Sequence, residues 1–358
     1  MMMNFVKLAV LAMVGTTLAS PIAMPGKSLE TRDDYCKDAI VRKEWRTLTN
    51  KQKKNYIEAV HCLHKKPAKA KSLAAGAVSR FDDFQGIHSK QTPSIHWVGH
   101  FAHWHRLMVA EYEEALRDEC NYEGAQPYWD WLLDVESGKN MTEWEIFDPV
   151  TGFGGDGPFI EIKPEQNPLG IEYRTGGGCV KDGPFTEDKF KLNLGPTSDY
   201  SITNPHCLTR DFAPDIARTN LIRKVWDEVL AQPDYGSFAR RLEGLPSWDM
   251  KNVHGGGHFG VGGVLGTIGD AFNSPGDPLF YLHHGNLDRL YYLWQKKDLA
   301  NRLRDVSGPI QPFDYLNEKA GNVTLEFEIN MAPLTGNIKL KDLMSTRGTK
   351  LCYKYDDN

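Results

Sequence analysis

Nine of the twelve histidines of this chain fall in two short clusters. His88, His96, His100, His103 and His105 lie within eighteen residues, and His254, His258, His283 and His284 within thirty-one. Neutral imidazole is the commonest metal-binding side chain and suits copper, zinc, iron and nickel. Two clusters so far apart in sequence point to two metal ions brought together by folding, which places the residues between them in one folded unit. The 358 residues permit one or two domains; a shared site favours one large domain.

Spacing narrows the geometry. His254 and His258 stand at i and i+4, the same face of a helix. The three glycines between them are poor helix formers, so packing must hold that turn. They also leave space beside the ligands. The glutamate of the zinc-protease HExxH pattern is absent, which weakens a zinc-hydrolase reading. Further on, Asp277-Pro-Leu-Phe-Tyr-Leu-His283-His284-Gly-Asn-Leu-Asp288-Arg289 reads as a helix opened by proline. Adjacent helical residues point about 100° apart, so His283 and His284 do not share an ion. His284 supplies the third ligand, and Asp288, one turn on, can orient it or support its neighbours. The first cluster is less determinate. Periodicity alone groups His96, His100 and His103 on one helical face. His96 and His105 converge only if His96 precedes the helix, with His88 on a loop.

Apolar periods of 3.6 recur over residues 50–64, 103–117, 219–231 and 278–296. Four such stretches predict a mainly α fold: a helical bundle, with long irregular loops and a little β. Bundle cores are a common place for metal sites. Residues 152–210 are rich in Gly and Pro and read as a segment that is functional or draped over the core. Val323, Leu325, Phe327 and Ile329 alternate with polar residues and read as a strand. The net charge of −5 excludes a mainly electrostatic nucleic-acid or membrane partner. The run Lys65, Lys66, Lys69, Lys71 reads as solvated surface.

Residues 1–20 read as a secretory signal. Lys7 is their one charged side chain, an apolar core runs from Leu8 to Leu18, and small residues allow cleavage at about 19–23. A secreted location follows, without stable membrane association. The six cysteines (Cys36, Cys62, Cys120, Cys179, Cys207, Cys352) are an even count for such a chain and predict disulfides. Antiparallel packing of two helical stretches about a turn near 47–50 would pair Cys36 with Cys62. Asn140-Met-Thr and Asn322-Val-Thr are glycosylation sequons.

Several ordered motifs carry a family resemblance. His88-x7-His96-x8-His105, Trp104-His105-Arg106, Pro127-Tyr-Trp-Asp-Trp131, His254-x3-His258 and Phe280-Tyr-Leu-His-His284-x3-Asp288-Arg289 resemble the tyrosinase and polyphenol oxidase family of type-3 binuclear copper proteins. The resemblance runs from about Cys36 to Tyr355. It implies that His88, His96 and His105 bind copper A and His254, His258 and His284 copper B, with O2 as co-substrate and small phenols as substrates. His100 and His103 then become structural, and His283, Asn286 and Asp288 support the ligands. Phe280 resembles the family's substrate gate. Glu243 and Gly255 match the positions that hold, in members hydroxylating monophenols, a phenol-activating water between glutamate and asparagine. Glycine in place of asparagine implies that o-diphenol, or o-aminophenol, oxidation dominates. Ser94 stands where many fungal members carry a cysteine bonded to a histidine. Tyr353-Lys-Tyr355 resembles the motif closing the catalytic core, and Arg42 or Arg46 is expected to stack on it. The resemblance therefore implies one catalytic domain over 24–358, monomeric, without a C-terminal shielding domain. A true tyrosinase is the alternative, and a hemocyanin-like O2 carrier the runner-up from another class.

Overall fold

The computed structural model describes residues 36–245 and 250–357. The expected leader at residues 1–20, with its cleavage region, lies outside them. Among the described residues no helix is long and apolar enough to cross a membrane. The chain opens with a short strand, β1 (Ile40–Arg42), and then forms α1 (Asn50–Lys65), α2 (Arg80–Ile95), α3 (Phe101–Cys120) and α4 (Trp131–Glu136). A long irregular stretch carries β2 (Lys191–Leu192) and β3 (His206–Cys207). Then come α5 (Pro214–Asn220), α6 (Arg223–Leu230), α7 (Tyr235–Leu242), α8 (Val253–Gly262), α9 (Leu279–Lys296) and α10 (Leu299–Arg302). The hairpin β4 (Glu328–Asn330) and β5 (Asn337–Lys339), α11 (Leu340–Leu343) and β6 (Tyr353–Tyr355) complete it. The architecture is mainly helical, as expected. One contiguous core runs from Trp45 to Tyr355.

Helix starts follow local chemistry. Thr49 with Gln52, and Ser79 with Asp82, form reciprocal capping boxes at α1 and α2. The Asn252 side chain accepts the Gly255 amide at the start of α8. The stretch expected as one helix over 219–231 is two: the backbone leaves the helical region at Leu221, the C-cap of α5, beside which the Asn220 side chain is engaged on both its polar atoms. Its Oδ1 accepts the Asn252 amide and its Nδ2 donates to the Ile216 carbonyl. The apolar stripe of that stretch falls on α6, where Val225, Trp226 and Val229 are buried. Between α2 and α3 the helix also breaks. Pro93 lacks an amide hydrogen, His96 is extended, and Trp97 takes a left-handed φ of 53°. The expected strand over 323–329 alternates in burial, yet only Glu328–Asn330 pairs in a sheet.

The disulfides differ from the expected pairing. Cys36 bonds Cys352, Cys62 bonds Cys120, and Cys179 bonds Cys207. The Cys36–Cys62 pairing assumed a helix before residue 47, but that segment is β1, which lies parallel to β6 with Ile40 opposite Tyr353. Cys36 therefore meets Cys352. Cys62 faces the end of α3, because α1 packs on α3. The Gly/Pro-rich stretch drapes over the core as expected. Cys179–Cys207 clips it, and Arg210 fastens it by donating to the Phe153 and Gly154 carbonyls and pairing with Asp277, just ahead of α9.

Peptide mapping under non-reducing conditions is expected to recover these three pairs and no Cys36–Cys62 peptide. Replacing Cys36 and Cys352 together by serine removes a link across a sequence separation of 316. The chain-entropy account puts the loss of stability at roughly 5 kcal/mol as an upper figure, readable as a fall in Tm.

Candidate metal centre

Four helix segments bring six histidines together. His88 sits within α2, His96 at its C-terminal cap, and His105 in α3. Their ligand-capable atoms lie within 4.8 Å of one another. His254 and His258 on α8 and His284 on α9 form a second group within the same limit. The two groups face each other: the His105 and His284 rings stack at 4.6 Å, and the His96 and His254 rings at 5.8 Å. The one-face trio His96, His100 and His103 does not assemble, because it presumes a continuous helix and α2 and α3 are separate. His88 is helical rather than on a loop, and the two helices converge instead. His100 packs on Phe327, and His103 is fixed between the hydroxyls of Tyr235 and Tyr291, at 3.1 and 3.0 Å.

Hydrogen bonds set the protonation state of most of these rings. A carbonyl can only accept, so a ring nitrogen beside one carries the proton. Nδ1 of His88 donates to Phe272 at 3.0 Å, of His96 to Thr92 at 3.2 Å, of His105 to Phe101 at 2.9 Å and of His258 to Ile268 at 2.7 Å. Each Nε2 is left as a bare lone pair. Nε2 of His88, His105 and His254 is buried without a protein partner. Nε2 of His258 and Nε2 of His284 approach to 3.1 Å. Burial lowers the pKa of all six rings, to about 4 for His96 and His258, so they are neutral near pH 7. Convergent, unpaired imidazole lone pairs are costly in a buried site, and metal cations would satisfy them. The all-nitrogen donor set suits copper.

The surroundings explain the odd local sequence. A Cβ on Gly257 would lie 2.1 Å from the His283 ring, and one on Gly256 2.5 Å from Asn220. The glycines of α8 thus let α9 and α5 approach the ligand helix. His283 is fully buried, and its Nε2 donates to the His254 carbonyl at 3.1 Å. Phe280 is fully enclosed, stacked on His284 at 4.1 Å and edge-on to His88 at 5.4 Å. It is an inner wall between the two groups. Glu243, at the end of α7, accepts the Trp97 amide with both oxygens, at 2.9 and 3.1 Å. Burial pushes its carboxyl well above the usual range, with only the Trp97 bond opposing. Gly255 is half-buried beside His254, with Asn252 Oδ1 3.1 Å from where its Cβ would stand. Ser94 is exposed and bonds the Gln91 carbonyl. Asn140 and Asn322 are also exposed.

Asp288 does not hydrogen-bond the ligand His284. Its oxygens are taken by Arg106 at 2.5 Å, Arg42 at 3.2 Å, and the hydroxyls of Tyr353 and Tyr355 at 2.5 and 2.6 Å. Arg42 also pairs with Glu113 at 2.6 Å and stacks 3.5 Å over the Tyr353 ring. Arg46 pairs with Asp134 instead, so the cation over the tyrosines is Arg42. Asn286 accepts from Arg289 through Oδ1. Sequence reasoning missed Glu113, Arg210 and Asp211, the last of which accepts the Val264 and Leu265 amides at the end of α8. Nothing in their spacing marks them; they are buried charges whose partners are distant in sequence.

A helical bundle that buries two facing triads of neutral histidines defines a binuclear metal protein. The comparisons specify the class. The profile of the common central domain of tyrosinase matches residues 78–297. A tyrosinase-like protein of Diaporthe leptostromiformis is 37% identical over 92% of this chain and 81% of its own length. An N-acetyl-6-hydroxytryptophan oxidase of Emericella nidulans is 33% identical over 89% and 93%. The structure of a polyphenol oxidase of Thermothelomyces thermophila, in a glycine-to-asparagine mutant form, superposes with a TM-score of 0.77 at 33% identity over 90% of each chain. The chain belongs to the tyrosinase family, whose members are copper oxidases.

Replacing Asp288 by asparagine strands Arg42 and Arg106 without their shared anion. Unfolding by denaturant is expected to show a loss of about 3–5 kcal/mol, the cost of breaking a buried pair. Burial alone would raise the Asp288 carboxyl, but Arg106, Arg42 and the two hydroxyls outweigh it and hold it below its usual value. A depressed folded pKa contributes stability above the ordinary aspartate range near ~3.9. The difference between the two proteins is therefore expected to be full at neutral pH and to shrink as pH falls below about 4.

Proposed function

We propose that this protein oxidises o-diphenols to o-quinones with O2 at two copper ions, and hydroxylates monophenols weakly. His88, His96 and His105 would hold one copper, and His254, His258 and His284 the other. The observation that carries the reading is the pair of facing triads whose unpaired imidazole nitrogens converge, in a chain of the tyrosinase family. Bound copper supplies the one-electron steps by which one O2 takes four electrons and four protons from two diphenols, giving two o-quinones and two waters. The chain's own residues do the rest. The carbonyls of Phe272, Thr92, Phe101 and Ile268 fix the ring orientations. Phe280 walls the inner side and limits how deeply a phenol ring enters. We take residues 24–358 as one secreted, monomeric catalytic domain, with residues 1–20 as its leader and Asn140 and Asn322 as its glycan acceptors.

Two features support weak hydroxylation. A free phenol has a pKa near ~10 and needs a base more than a catechol does. Glu243 has both oxygens engaged by the Trp97 amide, at 2.9 and 3.1 Å, rather than turned to a water beside the metal positions. Gly255 offers no side chain to hold a water beside it. The name of the Emericella relative adds hydroxyindoles to the substrates to be tested.

A panel of monophenols, o-diphenols, o-aminophenols and hydroxyindoles, followed by oxygen uptake, tests the reading. Fast uptake with catechols and a slow, lagging response with tyrosine are expected; equal rates on both would make the protein a tyrosinase in the full sense. Gly255→Asn is expected to raise the monophenol-to-diphenol rate ratio about tenfold, the worth of one well-placed hydrogen bond. For ligation, metal analysis is expected to find two coppers per chain in the intact protein and in His100→Ala, and loss of copper in His105→Ala and His284→Ala. Copper lost from His100→Ala and kept in His105→Ala would reinstate the one-face trio.

A further inference from the structure

The exposure of the six histidines shows which side of the site is open. His88 and His284 are sealed, whereas His96, His258 and His254 retain solvent contact. At that edge Trp97 follows His96, half-buried, with its ring 5.9 Å from the His96 ring. The Phe313 ring stacks on Trp97 at 4.7 Å, 23° from parallel. Both residues have left-handed φ, 53° and 63°. Bulky side chains rarely adopt that region. Such strain persists only where the surroundings enforce it, and it gathers at ligand clamps and active sites.

The enforcement is specific. Glu243 holds the Trp97 amide with both oxygens. The Trp97 carbonyl accepts the Phe313 amide at 3.2 Å and the Tyr315 hydroxyl at 3.3 Å. The Gly99 amide donates to the Pro309 carbonyl at 2.8 Å, tying the loop of residues 309–322 to the turn after His96. What this machinery holds in place is apolar and faces outward: Phe313 is 44% exposed, and Leu316, three residues on, is 81% exposed.

We infer that Trp97 and Phe313 form an outer aromatic platform that binds the substituent projecting from the metal pocket, selecting o-diphenols that carry a second ring over unsubstituted catechol. This rests on the diphenol oxidase reading. A planar ring leaving the pocket past His96 meets two stacked rings set by the backbone, so the contact needs little ordering of side chains.

The test compares 4-phenylcatechol with catechol on the copper-loaded protein. Phe313→Asn removes the ring while keeping a residue that tolerates left-handed φ; Phe313→Tyr keeps the ring. The kcat/KM ratio of 4-phenylcatechol to catechol is expected to favour the larger substrate in the intact protein. It is expected to fall about fivefold or more in Phe313→Asn, through KM, and to survive in Phe313→Tyr, with Tm and copper content retained. Trp97→Asn provides the same reading if Phe313→Asn does not fold. Calorimetric binding of both compounds under argon separates the two ideas. Preference in anaerobic binding without quinone formation in air keeps the platform and overturns the oxidase reading. Quinone formation with an unchanged ratio in the variants overturns the platform alone.

Discussion

The site depends on one constraint: six neutral imidazoles must be held with their unprotonated nitrogens converging, out of water. Nothing in an imidazole prefers that arrangement, so the backbone imposes it. His96 and His105 find their carbonyl partners four residues back in their own chain segments, at Thr92 and Phe101. His88 and His258 find theirs in the turn between α8 and α9, at Phe272 and Ile268. That turn thus sets one ring in each triad, and its shape couples the geometry of both metal positions. The 3-10 turns over Thr267–Gly269 and Ser274–Gly276 give it a fixed course.

Around this centre the protein uses two kinds of closure. On the α8 side it is steric: glycines remove side chains so that His283 and Asn220 can lie against the ligand helix. On the α9 side it is electrostatic, with two arginines and two carboxylates sharing a volume with almost no water. Buried ion pairs contribute little net stability but penalise any arrangement that separates them. They therefore act as a register for how β1, α3, α9 and β6 meet.

Much of this was legible from the residues. Hydrophobic period gave α1, α3 and α9 nearly to their ends, and the separation of the histidine clusters implied a shared centre. The choice of ligands within the first cluster was not legible from spacing, because it turns on where α2 stops. That stop depends on a proline three residues before His96 and on a left-handed tryptophan, and only the second fixes the direction of the chain. The break between α5 and α6 was hidden because the apolar stripe runs on past it, and the tie of Asn220 to the Asn252 amide exists only in space. The disulfide expectation failed where a segment too short for periodicity was read as helix. Family resemblance selected His88, His96 and His105, whose ring atoms the structure then brings within reach of one ion.

The parallel pairing of β1 with β6 has a consequence for synthesis. On a ribosome Arg42 emerges more than three hundred residues before Tyr353 and Tyr355, and well before Asp288. Until then its guanidinium has no complete set of partners and cannot enter a dry interior without penalty. Contacts of such long sequence separation form late and slowly. The N-terminal segment must therefore wait, hydrated, while the helices gather, and its insertion completes the packing behind α9. An ordered pocket therefore rests on side chains supplied from both ends of the polypeptide.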